Sequence, residues 1–149
     1  MKTLILPAAS LAVFIATAAS AQTSSPFAVE KCDPEAVTFS NVHLPQAVLA
    51  NGQPLSAGTY QIRITTERPT PAIGQSPTGE CWVEFVKSGA VAGREVASVV
   101  SADEIGAVVK GPGPKPDAVR VDLLTGGEYL RVWMNSGGTH YIVNLSVAR

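Results

Sequence analysis

The chain has 149 residues, of which 46% are hydrophobic and 15% are charged, and its 11 Lys and Arg residues nearly balance its 12 Asp and Glu residues. This length predicts one domain, and the hydrophobic content is too high for an intrinsically disordered chain. A net charge of −1 without a basic run provides no electrostatic attraction for nucleic acid or for an anionic membrane surface. The composition therefore favours a folded protein and excludes nucleic acid as a predicted partner.

Residues 1–21 have the pattern of a cleaved signal peptide. Lys2 supplies a positive charge, a largely apolar run extends from Leu4 to Ala18, and Ala19-Ser20-Ala21 gives the small-x-small pattern that signal peptidases recognise. The run of about 15 residues is short for a membrane-spanning helix. We therefore expect cleavage after Ala21, a mature chain without a membrane span, and a secreted or periplasmic location, as for a bacterial-type signal.

Export makes the two cysteines, Cys32 and Cys81, informative. An even number of cysteines in an oxidising compartment is typical of a disulfide. The sequence has no CxxC motif and no histidine close to either cysteine, so a redox or metal pair is not supported. We predict a Cys32–Cys81 disulfide that ties an N-terminal leader, residues 22–35, to a single domain of residues 36–149.

The first part of that domain reads as strands separated by turns. Alternating apolar and polar residues predict strands over residues 37–42, 58–65 and 81–87, followed by a valine-rich strand over 94–101. Ser101 and Glu104 have the spacing of a helix capping box, but Gly106 and the valines after it limit the helix to about one turn. The prolines of residues 111–116 predict an exposed, extended loop.

The last part of the chain shows the clearest pattern. Residues 118–124, 128–134 and 139–147 alternate as three strands, joined by residues 125–127 and by residues 135–138, each with a Gly-Gly pair. The second turn can have two or four residues, and both lengths give the same assignment of faces. If Gly126-Gly127 is a two-residue turn, Asp122 lies opposite Arg131, and this pairing of opposite charges supports the register. The pattern predicts an antiparallel meander with this core face: Val119, Val121, Leu123, Leu130, Val132, Met134, Tyr141, Val143 and Leu145.

One local motif resembles a known structural family. The run from Leu55 to Tyr60 reads L-x-A-G-x-Y, which resembles a strand entry in secreted immunoglobulin-like and transthyretin-like sandwiches. It is similar to the tyrosine corner, in which a Tyr hydroxyl bonds a backbone group a few residues upstream. The resemblance covers six residues and implies a Greek-key antiparallel β-sandwich of seven to eight strands, with no implied ligand. The Cys…Trp…Cys order of immunoglobulin domains is missing, and a small β-barrel is the alternative.

The sequence contains no recognisable catalytic or metal-binding constellation. Its histidines, His43 and His140, lack metal-ligand spacing. Ser76 is followed by proline and does not form a nucleophile elbow, and the adjacent Asp103 and Glu104 point apart on an extended chain, unlike the paired carboxylates of a glycosidase. We therefore predict a non-catalytic protein with no metal and no cofactor.

The strongest candidate binding surface is the outer face of the meander. Strand parity places five hydrogen-bonding and aromatic side chains there, namely Arg120, Tyr129, Arg131, Trp133 and His140. Such side chains anchor protein partners or stack on sugars. Two other interpretations are open: the side chains stabilise the sheet by cross-strand pairing, or the face is covered by the N-terminal segment or the proline-rich loops.

These observations predict an exported, non-catalytic binding or accessory module with an unidentified protein or glycan partner. The alternative is a structural subunit of a cell-surface assembly that joins its neighbour through an unpaired edge strand. A further alternative is a barrel that binds a small apolar ligand in its interior.

Overall fold

A computed structural model describes Cys32 and residues 36–70, 73–74 and 79–149 of the chain. The predicted signal peptide and the leader, apart from Cys32 itself, lie outside these described residues. The strands are β1 (Val37–Leu44), β2 (Val48–Ala50), β3 (Gln53–Leu55), β4 (Gly58–Ile64), β5 (Glu80–Lys87), β6 (Ala90–Val100), β7 (Ala118–Leu123), β8 (Tyr129–Ser136) and β9 (Thr139–Val147), and a single helical turn, α1 (Ile105–Val108), follows β6.

The strands form one antiparallel sheet that curls into a nearly closed barrel. Its main path runs β1-β4-β5-β6-β9-β8-β7, and the short β2–β3 hairpin extends the sheet from the far end of β9. β7 returns close to β1, with Cα atoms within 8 Å, but no backbone ladder joins these two strands in the described chain. The predicted all-β antiparallel fold is confirmed, in the barrel-like form of the alternative rather than as two separate sheets.

The core fills the inside of the curled sheet, as period-two patterning requires. In β4, for example, Tyr60, Ile62 and Ile64 are buried while Gln61 and Arg63 are exposed. Tyr60 packs edge-on against Phe85 of β5, with ring centroids 6.3 Å apart. Its hydroxyl also donates a hydrogen bond to the Ser56 carbonyl, at 2.8 Å. The tyrosine hydroxyl therefore bonds the backbone four residues upstream.

The C-terminal meander has the predicted register. Leu123 lies opposite Leu130, and Asp122 lies opposite Arg131. The second glycine pair makes a two-residue turn, so that Ser136 pairs with Thr139. Six of the predicted core residues are fully buried: Leu130, Val132, Met134, Tyr141, Val143 and Leu145. The first hairpin keeps the predicted register through a longer loop than a two-residue turn, because the Leu124 N–H donates to the Tyr129 carbonyl and the Gly127 N–H donates to the Leu124 carbonyl, each at 2.9 Å. Gly126 and Gly127 both have positive φ in this loop.

The predicted Cys32–Cys81 disulfide is present, with the two Cα atoms 5.5 Å apart. Cys81 is fully buried near the start of β5, and Cys32 packs half-buried against the core. Val37, the first residue of β1, pairs with Ile64, and Ile64 in turn pairs with Val83 of β5. The bridge therefore lies at the end of the barrel where β1 and β5 both begin.

The structure corrects three local expectations. The β2–β3 hairpin, which turns at Asn51-Gly52, is absent from the predicted strands, because three-residue strands are too short for their alternation to be recognised in the sequence. Leu123, predicted in the core, is 54% exposed because it ends β7 beside the gap to β1. The predicted single helical turn is confirmed, but the capping box is not formed: Ser101 and Glu104 touch through a side-chain hydrogen bond of 2.9 Å, and α1 has no side-chain cap.

Candidate functional site

The predicted binding surface is divided by the structure into a buried and an exposed part. Trp133 retains 1% of its accessible surface and His140 retains 7%. The Trp133 indole N–H donates a hydrogen bond to His140 Nδ1, at 3.0 Å, and the two rings meet edge to face with centroids 5.7 Å apart. Both side chains are therefore buried, as in the interpretation in which other segments cover this face, and Trp133 lies outside the main core, as strand parity predicted.

A connection between β6 and β7, residues 101–116, passes over the outer face of β8 and β9, and we call it the covering segment. Ile105 and Val109 from this segment pack against a second apolar cluster, made of Val100, Trp133 and Ile142. This cluster is separate from the barrel core. The alternative in which loops cover the predicted surface is the one observed at Trp133 and His140.

The proline-rich end of the covering segment is held by hydrogen bonds and by close packing. Arg120 Nη1 donates to the Pro112 carbonyl at 2.8 Å, and Asn135 Nδ2 donates to the Pro114 carbonyl at 3.0 Å. Between these two anchors the Gly113 backbone lies on the Trp133 ring, where an added Cβ would be only 2.8 Å from the ring carbon Cζ2. A glycine is therefore required at this position by the indole beneath it.

Arg120 and Arg131, two other predicted surface residues, bind the carboxylate of Asp122. Arg120 Nε donates to Asp122 Oδ1 at 2.8 Å, and Arg131 Nη2 donates to Oδ2 at 3.0 Å. Partial burial raises the pKa of Asp122, but the hydrogen bonds and charges of both arginines outweigh it, so the pKa lies below its ordinary value. The guanidinium of Arg131 also lies 5.3 Å from the centre of the Trp133 ring. Both arginines therefore have structural partners within the sheet.

Tyr129 is the aromatic member of the predicted surface that stays substantially exposed, at 47%. It begins β8 opposite Ser146 of β9, at the far end of the strand from the Trp133–His140 pair. The five predicted residues thus do not form one continuous exposed face. No set of three or more metal-ligating side chains occurs among the described residues.

A different candidate site lies at the gap between β1 and β7, which we call the seam. A cavity of about 500 Å³ opens there, lined by residues 38–43 of β1 and by Asp117, Ala118, Val119 and Val121. His43, for which the sequence showed no metal-ligand partner, is exposed and lines this cavity. Sequence patterns gave no signal for the seam, because it arises only from the pairing order of the strands.

The barrel core is incompletely covered at the seam. In β7 the inward-facing Val119 and Val121 are only partly buried, and Leu123 is mostly exposed. The inward-facing residues of the neighbouring β8, by contrast, have no exposed surface. The difference arises because β8 has a strand on each side, whereas β7 pairs with β8 alone in the described chain. The seam therefore offers apolar side chains to a ligand.

The seam also offers unpaired backbone. Within the described residues β1 pairs only with β4, so the remaining edges of β1 and β7 face each other without a ladder. The β1 edge is interrupted by a bulge between Phe39 and Val42, where Asn41 has a φ of 60°. Bulges are a common way to protect an exposed edge from unspecific pairing. A ligand at the seam would therefore find both hydrogen-bonding groups and an apolar floor.

A smaller cavity of about 260 Å³ lies on the other side of the β1 bulge. Its lysine, Lys87, donates a hydrogen bond to Ser56 Oγ at 3.2 Å, and the ammonium lies 5.1 Å from the centre of the Tyr60 ring. These contacts already stabilise the charge of Lys87. The seam is thus the stronger candidate for a binding site.

The comparisons with known proteins leave the site to be interpreted from its geometry. No protein family, curated protein or solved structure matches the chain. In the part of the chain that the structure describes, no helix has the length and apolar character needed to cross a membrane.

Proposed function

We propose that the protein is an exported, non-catalytic binding module and that it binds a partner protein at the seam. The observation that carries this proposal is the combination of two unpaired strand edges in the described chain with the incompletely buried side chains of Val119, Val121 and Leu123. An exposed apolar patch bordered by polar groups is typical of a protein-binding surface. The signal-peptide pattern and the disulfide support the assignment to an exported protein.

A protein partner fits this geometry better than a glycan does. Sugar-binding sites rely on exposed aromatic rings, and the aromatic ring that favoured a glycan, Trp133, is covered. At the seam the carbocyclic ring, Phe39, is buried as well, and the rest of the lining combines small aliphatic side chains with polar ones such as His43 and Asp117. Unpaired edges also support the second candidate, a structural subunit that joins other copies, because edge strands are sites of strand addition between chains. That candidate predicts oligomers, which size-exclusion chromatography with light scattering would detect.

The binding proposal is tested by capturing partners from the secreted fraction with purified protein and comparing Val121→Glu with Val108→Glu. Both changes put a carboxylate on a valine, but Val121 lies in the seam and Val108 is 58% exposed on α1. We expect the seam variant to lose at least fivefold of the captured protein, quantified by mass spectrometry, while the control variant matches the unmodified chain. Equal capture by all three proteins, each shown to be folded by circular dichroism, would contradict the proposal.

Export itself has a direct test. Because the residues before Gln22 have the signal-peptide pattern, the intact mass of the secreted protein should correspond to cleavage between Ala21 and Gln22. A product that keeps residues 4–18 and stays in the membrane would contradict the prediction.

A further inference from the structure

We infer that the seam binds its partner by strand addition and that the added strand runs antiparallel to both β1 and β7, as the eighth strand of the barrel. This inference rests on the proposed function and specifies the partner as an extended polypeptide segment of another exported protein. The features that decide it are the direction of the two edges, the side chains between them and the distance that separates them.

The direction follows from the pairing order. Six antiparallel steps lead from β1 through β4, β5, β6, β9 and β8 to β7. An even number of reversals leaves β1 and β7 running in the same direction. The sheet therefore cannot close on itself with antiparallel ladders only, whereas one inserted strand can pair antiparallel with both edges. Antiparallel pairing is also slightly more stable per residue than parallel pairing.

The uncovered side chains define the sequence of the partner strand. Because successive side chains of a strand point to opposite faces, every second residue of the added strand would point inward beside Val119, Val121 and Leu123. These positions favour apolar residues, and the alternate positions face solvent. To pair with all six residues of β7, the added strand must be at least about 20 Å long, at roughly 3.3 Å per residue.

The seam must widen to admit a full strand. Two strands that flank a third lie about 9.6 Å apart, at roughly 4.8 Å per spacing, whereas Cα atoms of β1 and β7 come within 8 Å. β7 is the strand able to move, because it pairs only with β8 in the described chain and all three of its inward-facing side chains are incompletely buried. Binding therefore requires β7 to move outward by at least about 2 Å.

Direct cross-linking to a peptide tests the inference. The probe is a free peptide with the sequence of residues 58–64, since that segment, β4, pairs antiparallel with β1 and alternates apolar residues. A photoreactive group is attached at its N-terminus or at its C-terminus. With the whole secreted chain, we expect the N-terminal group to label residues near Leu44 and Leu123, and the C-terminal group to label residues near Val37 and Ala118. Each photoreactive group should label its predicted site at least tenfold more than it labels the site predicted for the other group.

Two controls separate strand pairing from unspecific adhesion. The same peptide with N-methyl groups on alternate residues keeps its side chains but loses backbone donors, so its labelling should fall at least tenfold without any change to the protein. Val121→Glu should reduce labelling similarly, and Val108→Glu should not. Labelling with the reversed polarity, labelling of β5 through exchange with β4, or undiminished labelling by the methylated peptide would each overturn the inference.

Other occupants of the seam would be revealed in the same experiments. Slow hydrogen exchange at the facing edges of β1 and β7 in the monomer without peptide would show that the chain fills its own seam. Peptide binding that disappears as dimers form would show that a second copy does so, and either result overturns the inference. If the peptide fails to label but partner capture still depends on Val121, strand addition is refuted while the proposed binding function stands.

Discussion

Truncation of Trp133 to alanine measures how firmly the covering segment is attached to the sheet. Trp133 keeps 1% of its surface exposed, and a tryptophan buries about 200 Å² on folding. Alanine lacks about 150 Å² of this buried area, and its loss lowers the free energy of unfolding by about 4 kcal/mol at roughly 25 cal/mol per Å². The lost hydrogen bond leaves the buried Nδ1 of His140 without its donor, which adds about 1 kcal/mol. Because compact unfolded chains already bury part of this area, we expect a loss of about 3–5 kcal/mol.

Urea denaturation followed by far-ultraviolet circular dichroism measures this loss without depending on the fluorescence of the removed residue. The matched control is Trp82→Ala, because Trp82 is only half-buried and its main partner is the guanidinium of Arg94, 4.6 Å from the ring centre. The control should lose about 1–2 kcal/mol, from its partial burial and its cation–π contact. A loss below about 1 kcal/mol for Trp133→Ala, or a loss no greater than that of the control, would show that the covering segment does not bury this side chain in solution.

Three further predictions concern the same fold. Gly113→Ala should cost about 1–3 kcal/mol through overlap with Trp133, and in a double-mutant cycle the cost should shrink in the Trp133→Ala background; equal costs in both backgrounds would exclude the contact. Burial lowers the pKa of His140 below its ordinary value of 6.5, so as the pH falls the unfolded chain takes up the proton before the folded one does. The free energy of unfolding is therefore unaffected by His140 above pH 6.5 and decreases as the pH falls below it. His140→Gln should remove this part of the pH dependence of the free energy of unfolding, and an unchanged pH profile would contradict the prediction. Replacing both Cys32 and Cys81 by serine opens a loop with a sequence separation of 49. The free energy of unfolding should fall by about 4 kcal/mol relative to the oxidised protein, as the loop-entropy model predicts. A fall below about 1 kcal/mol would mean that the bridge adds little to the packing of Cys32.

The C-terminal register could be predicted from the sequence because local signals agree there. The glycine-containing loop brings β7 back alongside β8, and the pairing of the opposite charges of Asp122 and Arg131 agrees with the observed register. Alternation then assigns the faces, and the disulfide follows from the even number of cysteines together with the signal-peptide pattern. The register and the faces depend on residues that are close in sequence, and two cysteines can form only one intramolecular disulfide.

The burial of Trp133 and the seam could not be predicted in the same way. Alternation identifies the outer face of β8, but it does not say which distant segment crosses that face. Ile105 and Val109 lie four residues apart, a helical spacing that in retrospect marks a small apolar stripe in the covering segment. The seam depends on the order of all the strands around the barrel, and sequence alternation within one strand carries no information about that order.

The position of β9 in the sheet has a consequence for how the protein folds. β9 pairs with β6, with β2 and with β8, so it connects the first six strands to the β7–β8 hairpin. It also follows every other strand in the chain. The two halves of the described sheet therefore cannot be joined by backbone pairing until residues 139–147 are available. Long-range pairing of this kind slows folding, so joining of the two halves through β9 is expected to be a slow step in the formation of the barrel.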